Sequence, residues 1–158
     1  MFTGDGTAGS SGFLARALHA NGLVNIPTSE SADDGQVLTD VWITAVLRCA
    51  PPDNKPLPIE IQRCHSHLAA DIASLPNVRV YVAFGKIAFD ACWRLVGDAG
   101  LPVPAPKGRA FGHGATFTVP GGPTIISSYH PSRQNTQTGR LTPAAFSDIF
   151  ARAKAAAK

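Results

Sequence analysis

The residues best suited to chemistry lie near the end of the chain. Tyr129-His-Pro-Ser-Arg-Gln-Asn-Thr-Gln-Thr-Gly139 gathers an imidazole, hydroxyls, a guanidinium and side-chain amides within a few residues. It follows an apolar run, and reads as a polar loop without periodicity. Functional side chains concentrate in such loops; the plain alternative is a solvated surface loop. A second segment, Phe111-Gly-His-Gly114, holds a histidine between two glycines, which allow tight backbone geometry. A structural loop histidine is the simpler reading of His113.

Three other segments offer weaker chemistry. Met1 to Gly12 is glycine-rich and leads into an apolar pattern, so its amides resemble an anion cradle in outline. It carries neither the lysine-containing phosphate-loop pattern nor a preceding strand. Gly85-Lys86 is a second possible phosphate contact, or simply a tight turn. Cys49 and Cys64 are separated by fourteen residues, and with Cys92 make three thiols. A zinc or iron–sulfur site normally takes four ligands. His65 and His67 flank Cys64 on different helical faces. Spacing alone therefore favours structural cysteines, with Cys92 in the core beside Phe89, Trp93 and Val96.

The elements that must position these residues follow from periodicity. Ser10 or Ser11 can cap a helix over residues 12–20 that buries Phe13, Leu14, Ala17 and Leu18. Val37 to Leu47 reads as a buried strand. Ile61, Cys64, Leu68, Ile72 and Leu75, at steps of three and four, form a helical stripe within 59–75. Further strands are expected at 79–84, 116–119 and 124–129, with helices at 87–96 and from Pro143 to about Ala157. Strands alternating with helices point to an α/β fold with a largely parallel sheet covered on both faces. Ligands of such sheets sit beyond the carboxyl ends of the strands. The glycine-rich start, Arg48 to Pro58, Gly85-Lys86 and the Tyr129–Gly139 run all fall there.

Composition bounds the answer. A chain of 158 residues with 44% hydrophobic and 16% charged residues can bury a core without disulfides and reads as one domain, 1–158. The formal charge of +3 and pI near 9.0 permit a nucleic-acid partner without requiring one. Two Glu and nine Asp leave few candidate general bases. No apolar run is long enough to span a membrane and no basic-then-apolar leader is visible, so a cytoplasmic location is expected.

Four runs then carry a resemblance: Met1-Phe-Thr-Gly-Asp5, Arg48-Cys-Ala-Pro-Pro-Asp-Asn-Lys-Pro56, Phe111-Gly-His-Gly114 and Tyr129-His-Pro-Ser-Arg-Gln-Asn-Thr-Gln-Thr-Gly-Arg140. In this order, and across nearly the whole chain, they resemble the uracil-DNA glycosylase superfamily. The similarity is greatest to its family 5, the broad-specificity iron–sulfur type. The resemblance implies a three-layer α/β/α sandwich around a short, mostly parallel sheet. It implies hydrolysis of the N-glycosidic bond of uracil and related deaminated bases in DNA, without strand cleavage. The base would be flipped from the duplex into a pocket.

Carried over by matching residues, the resemblance makes His130 the donor that stabilises the leaving base. Phe2 would stack on that base. Ser132 would hold a DNA phosphate, Arg133 and Gln134 would enter the minor groove, and Gly85 would lie close to the DNA backbone. Cys49 and Cys64 match two of four ligands of a [4Fe–4S] cluster. Ala45 stands where some related families place a base-reading Asn, which implies weaker discrimination among bases. Asp5 and Asn54 are the nearest polar candidates for water or base contact, each with an equally good turn or cap role. The family's Gly-Leu-Ala-Pro motif, the strand before it and two further cluster cysteines do not occur ahead of Met1. The sequence is therefore expected to be a C-terminal portion, with a DNA-binding remnant lacking activity as the alternative to an active enzyme. A monomer is the expected state.

Overall fold

The structure, a computed structural model, describes residues 9–158, apart from the side chain of Asn54. Among these residues, eight regular elements form two helical layers around a small sheet. Helix α1 covers Ser10–Ala20 and helix α2 Pro58–Ala73. Strand β1, Val80–Phe84, leads through Gly85 into helix α3, Lys86–Asp98. Strands β2, Thr116–Thr118, and β3, Thr124–Ser128, precede helix α4, Arg133–Gln137, and helix α5, Pro143–Ala156.

The strand order is β1-β3-β2. β1 and β3 run parallel over five paired residues, from Val80 opposite Thr124 to Phe84 opposite Ser128. β2 joins β3 antiparallel over three pairs. The sheet is therefore mixed: parallel at its centre, with a short antiparallel edge. The antiparallel pairing follows from the tight Gly121-Gly-Pro123 connection, which is too short for a parallel crossover.

Alternation along the strands divides the core. Ala83 and Ile125 face one side, where they meet Phe89, Trp93, Val96 and Val119. Four aromatic rings dominate that side: Phe89 lies 5.6 Å from both Phe111 and Phe117 and 6.2 Å from Trp93. Phe84 faces the other side, against Leu14, Leu18, Leu141, Phe146 and Phe150 of the α1–α5 layer. Phe146 is fully buried, with ring centroids 5.2 to 5.4 Å from Phe13, Phe84 and Phe150. Each such ring brings roughly 150–250 Å² out of water, the dominant favourable contribution to a core of this size. The α/β/α layering expected from the sequence is thus present.

Three local expectations are corrected. Residues 37–47 are not a strand. Val41 and Ile43 pack against the α1–α5 cluster, but Trp42 is 62% exposed, and the backbone finds only one isolated bridge, Val24 to Leu38. An apolar run supplies side chains to bury, whereas a strand also needs a ladder partner, and β1 lies at the sheet edge with only β3 beside it among the described residues. Segment 44–48 is instead tied to α2, where Thr44 Oγ1 and the Arg48 guanidinium both donate to the Asp71 carboxylate. The second correction is that α1 begins without a side-chain cap, after Gly9. The Ser10 hydroxyl donates instead to the carbonyl of Pro131 at 2.6 Å. The third is that residues 133–137, expected as loop, form α4. Ser132 starts that helix, its carbonyl accepting from the amides of Asn135 and Thr136.

Candidate functional site

Gly85 and the segment after β3 leave the carboxyl ends of the two parallel strands together. The Gly85 amide donates to the Ser128 carbonyl at 2.8 Å, extending the β1–β3 ladder by one bond. Gly85 then turns into α3 with φ 87° and ψ 168°, a conformation essentially confined to glycine. A methyl group on Gly85 would stand 3.6 Å from His130 Cβ. The strand-to-helix turn and the histidine are therefore immediate neighbours.

His130 is fixed by its backbone. Its carbonyl accepts from Asn135 Nδ2 at 2.9 Å, and the carbonyl of the buried Pro131 is held by Ser10 of α1. Desolvation lowers the His130 pKa from its ordinary value, which favours the neutral imidazole. A neutral imidazole still carries one N–H donor. Ser132 follows with a hydroxyl that makes no capping bond to α4, while Arg133 and Gln134 form the exposed first turn of that helix. Asn135 also accepts from the Leu141 amide through its carbonyl at 2.8 Å, which fastens α4 to the buried start of the α5 segment. Asn135 belongs to this candidate site by its bonds, and reading the sequence did not single it out. Its signal is its place five residues after His130 in a run rich in side-chain amides.

Behind His130 lies a second cluster. His113 and Tyr129 are stacked, with ring centroids 5.3 Å apart and planes at 27°. The Arg140 guanidinium covers Tyr129 at 4.3 Å. Sequence reading treated His113 as a loop residue and gave Arg140 no role.

The other sequence candidates lie elsewhere. Ala45 and Cys49 are exposed on the 44–49 segment, and Cys64 is half-buried on α2. Asp71 follows Cys64 by seven residues, so the two lie on nearly the same face of the helix. The bonds from Thr44 and Arg48 to Asp71 thus tie the segment that ends at Cys49 to α2. No group of three or more Cys, His, Asp or Glu able to hold a metal occurs among the described residues. His65 is turned away, paired with Asp98 of α3, and burial pushes the Cys92 thiol up to about 12. Cys49 and Cys64 supply two thiols and do not by themselves complete a four-ligand cluster site. Phe2, Asp5 and the side chain of Asn54 lie outside the described residues.

Comparison with known proteins matches this arrangement to one family. The model of the uracil DNA glycosylase superfamily matches residues 1–154. The chain is 46% identical over 153 residues to the type-5 uracil-DNA glycosylase of Thermus thermophilus, covering 97% of this chain and 65% of that protein. The type-5 enzyme of Mycobacterium bovis is 43% identical, with 98% and 55% covered, and that of Pyrobaculum aerophilum 38%, with 98% and 63% covered. The chain thus spans between 55% and 65% of the length of these relatives. With the superfamily match running from the first residue to within α5, and the His130 run seated at the carboxyl end of a parallel strand pair, the chain belongs to the uracil DNA glycosylase superfamily.

Proposed function

We propose that this chain takes part in DNA base-excision repair, as a monofunctional glycosylase that hydrolyses the N-glycosidic bond of uracil and related deaminated bases. The observation that carries this reading is the setting of His130. It is an imidazole at the end of β3 that stays open to solvent, set against Gly85 and braced through its backbone by Asn135. As the bond breaks, the sugar gains oxocarbenium character and the base leaves as an anion whose charge gathers on the carbonyl beside the bond. A fixed N–H donor aimed at that oxygen gains strength as the charge develops, so it lowers the barrier rather than merely tightening binding. His130 is assigned that role. Water supplies the oxygen that ends on the sugar, so no covalent protein intermediate is required.

The neighbouring groups would serve the DNA. The Ser132 hydroxyl would bind a phosphate, the exposed Arg133 and Gln134 would enter the minor groove beside the flipped base, and Gly85 would admit the DNA backbone closely. Phe2 is assigned base stacking, worth roughly 1–3 kcal/mol. Asp5 and Asn54 are assigned contacts to water or base, and Ala45 a permissive wall of the base pocket. Cys49 and Cys64 would provide two of the four ligands of a [4Fe–4S] cluster, which would brace the 44–49 segment against α2; no step of the reaction is routed through it. Among the described residues no helix is long and apolar enough to cross a membrane. The proposed setting is the cytoplasm, with the chain acting as a monomer.

The test is release of uracil from a duplex carrying one such base, read as alkali-sensitive strand breaks. Removing one transition-state donor costs on the order of 10²–10³ in rate, so His130→Ala is expected to lose that much while remaining folded. Salt-sensitive duplex binding without any base release by the parent chain would assign a DNA-binding role in place of the enzymatic one.

A further inference from the structure

The β1–β3 ladder stops just short of the candidate donor. Ser128 pairs with Phe84 and accepts from Gly85, and beyond it Tyr129 and His130 leave the sheet. Main-chain pairing therefore does not set their direction. The Tyr129 amide would lack a ladder partner, but it donates to His113 Nδ1 at 3.3 Å. A backbone N–H can only donate, so Nδ1 is the acceptor and the proton of the neutral ring sits on Nε2. The Ser128 hydroxyl lies 3.3 Å from the same nitrogen and 2.9 Å from the Tyr129 carbonyl, to which it donates.

The histidine is itself anchored to the strand. The Gly114 amide donates to the Ser127 carbonyl at 2.7 Å, and the Ser127 hydroxyl donates to the Gly112 carbonyl at 2.6 Å. Arg152 of α5 holds the Gly114 carbonyl at 2.8 Å. Gly114 has φ 75°, a conformation that favours glycine, so the turn that presents His113 depends on it; a methyl group there would also push the Arg152 guanidinium aside. His113 then stacks on one side of the Tyr129 ring while Arg140 covers that ring at 4.3 Å.

We propose that His113 is a positioning residue for His130: it accepts the Tyr129 amide and stacks on the Tyr129 ring, and so fixes the backbone that aims the His130 imidazole. Its catalytic consequence rests on the assignment of His130 as the donor to the leaving base; the positional effect does not. Two substitutions separate its contributions. His113→Phe keeps a ring to stack and removes the acceptor. His113→Asn removes the ring but keeps an oxygen near the Nδ1 position.

The test compares the 158-residue parent with both variants by amide hydrogen exchange at Tyr129, by the imidazole signals of His130 in nuclear magnetic resonance spectra, and by single-turnover uracil release alongside duplex affinity. A lost hydrogen bond of ordinary net strength corresponds to about a tenfold change. In His113→Phe, Tyr129 exchange is expected to quicken by about that factor, the His130 signals to move, and release to slow by a similar factor at nearly unchanged affinity. His113→Asn is expected to recover most of the exchange protection and of the rate. The proposal is overturned if Tyr129 exchange and the His130 signals in His113→Phe match the parent, or if the Phe and Asn variants are equally impaired. Absence of release by the parent would defeat the glycosylase reading, yet exchange and spectra would still decide whether His113 orients His130.

Discussion

Replacing Gly85 with alanine asks whether the turn beside His130 depends on backbone conformation or on space. Space is not the obstacle: the added Cβ would sit 3.6 Å from His130 Cβ, an ordinary contact. The dihedral angles are. At φ 87° and ψ 168°, a residue with a Cβ carries strain of about 1–3 kcal/mol. Escape to negative φ is obstructed, because the Gly85 amide is bonded to Ser128 and its carbonyl accepts from Phe89 in the first turn of α3. Breaking either bond costs a comparable amount. Urea unfolding followed by circular dichroism should therefore show a loss of about 1–3 kcal/mol. For a chain of this size that is a fall in Tm of roughly 2–4 °C per kcal/mol. Gly35→Ala is the control, since Gly35 also has positive φ, 76°, but lies in open space on a distant loop. Both variants should lose stability. Only Gly85→Ala should also slow uracil release per folded molecule, because relaxation there displaces the neighbour of His130. An unfolding midpoint for Gly85→Ala equal to the parent's would refute the strain argument. Equal slowing in both variants would refute the link to His130.

Other consequences are equally direct. Partial desolvation beside Gly85 lowers the His130 pKa below its ordinary 6.5, so as pH falls through 6.5 the unfolded chain takes up this proton first. The folded state should lose stability between 6.5 and the lower folded value, and a titration of the imidazole at or above 6.5 would contradict the packing described. Cys49 is exposed, Cys64 and Cys92 are half-buried, and desolvation pushes the Cys92 thiol up to about 12. A thiol reagent at neutral pH should therefore modify Cys49 first and Cys92 last, as peptide mapping would show. Phe146→Ala empties the centre of the α1–α5 layer and should cost about 3–5 kcal/mol by denaturant unfolding. A loss below about 1 kcal/mol would mean that the layer closes around the gap.

Where side-chain periodicity alone determines an element, it was legible. The stripe from Ile61 to Leu75 gave α2, the run before Gly85 gave β1, and the run from Pro143 gave α5, although the Thr142 hydroxyl that holds its first-turn Ala145 amide emerged only in the structure. Each carries its signal within one turn or strand, because helix faces and strand faces repeat at fixed spacing. Residues 37–47 show the boundary of that signal. Their apolar residues forecast a buried strand; Val41 and Ile43 do turn inward, but Trp42 is exposed, and the apolar run could not tell whether a neighbouring strand would be there to pair with it. The short α4 was hidden for the opposite reason. Its five residues present no buried side chain, so no apolar period marks it.

The candidate site divides along the same line. By itself, the sequence determined the chemistry on offer: an imidazole at His130 followed by hydroxyl, guanidinium and amide groups, and thiols at Cys49 and Cys64. Tertiary structure decided what those groups can do together. It set Gly85 against His130 although forty-five positions separate them, and turned Ser10 from a helix cap into a brace for Pro131. It also made His113 the acceptor for the amide that precedes His130. The physical reason is that hydrogen bonds and ring contacts act over a few ångströms of space. Residue type fixes which bonds a side chain can make, whereas only the packed layers fix which partner stands within reach.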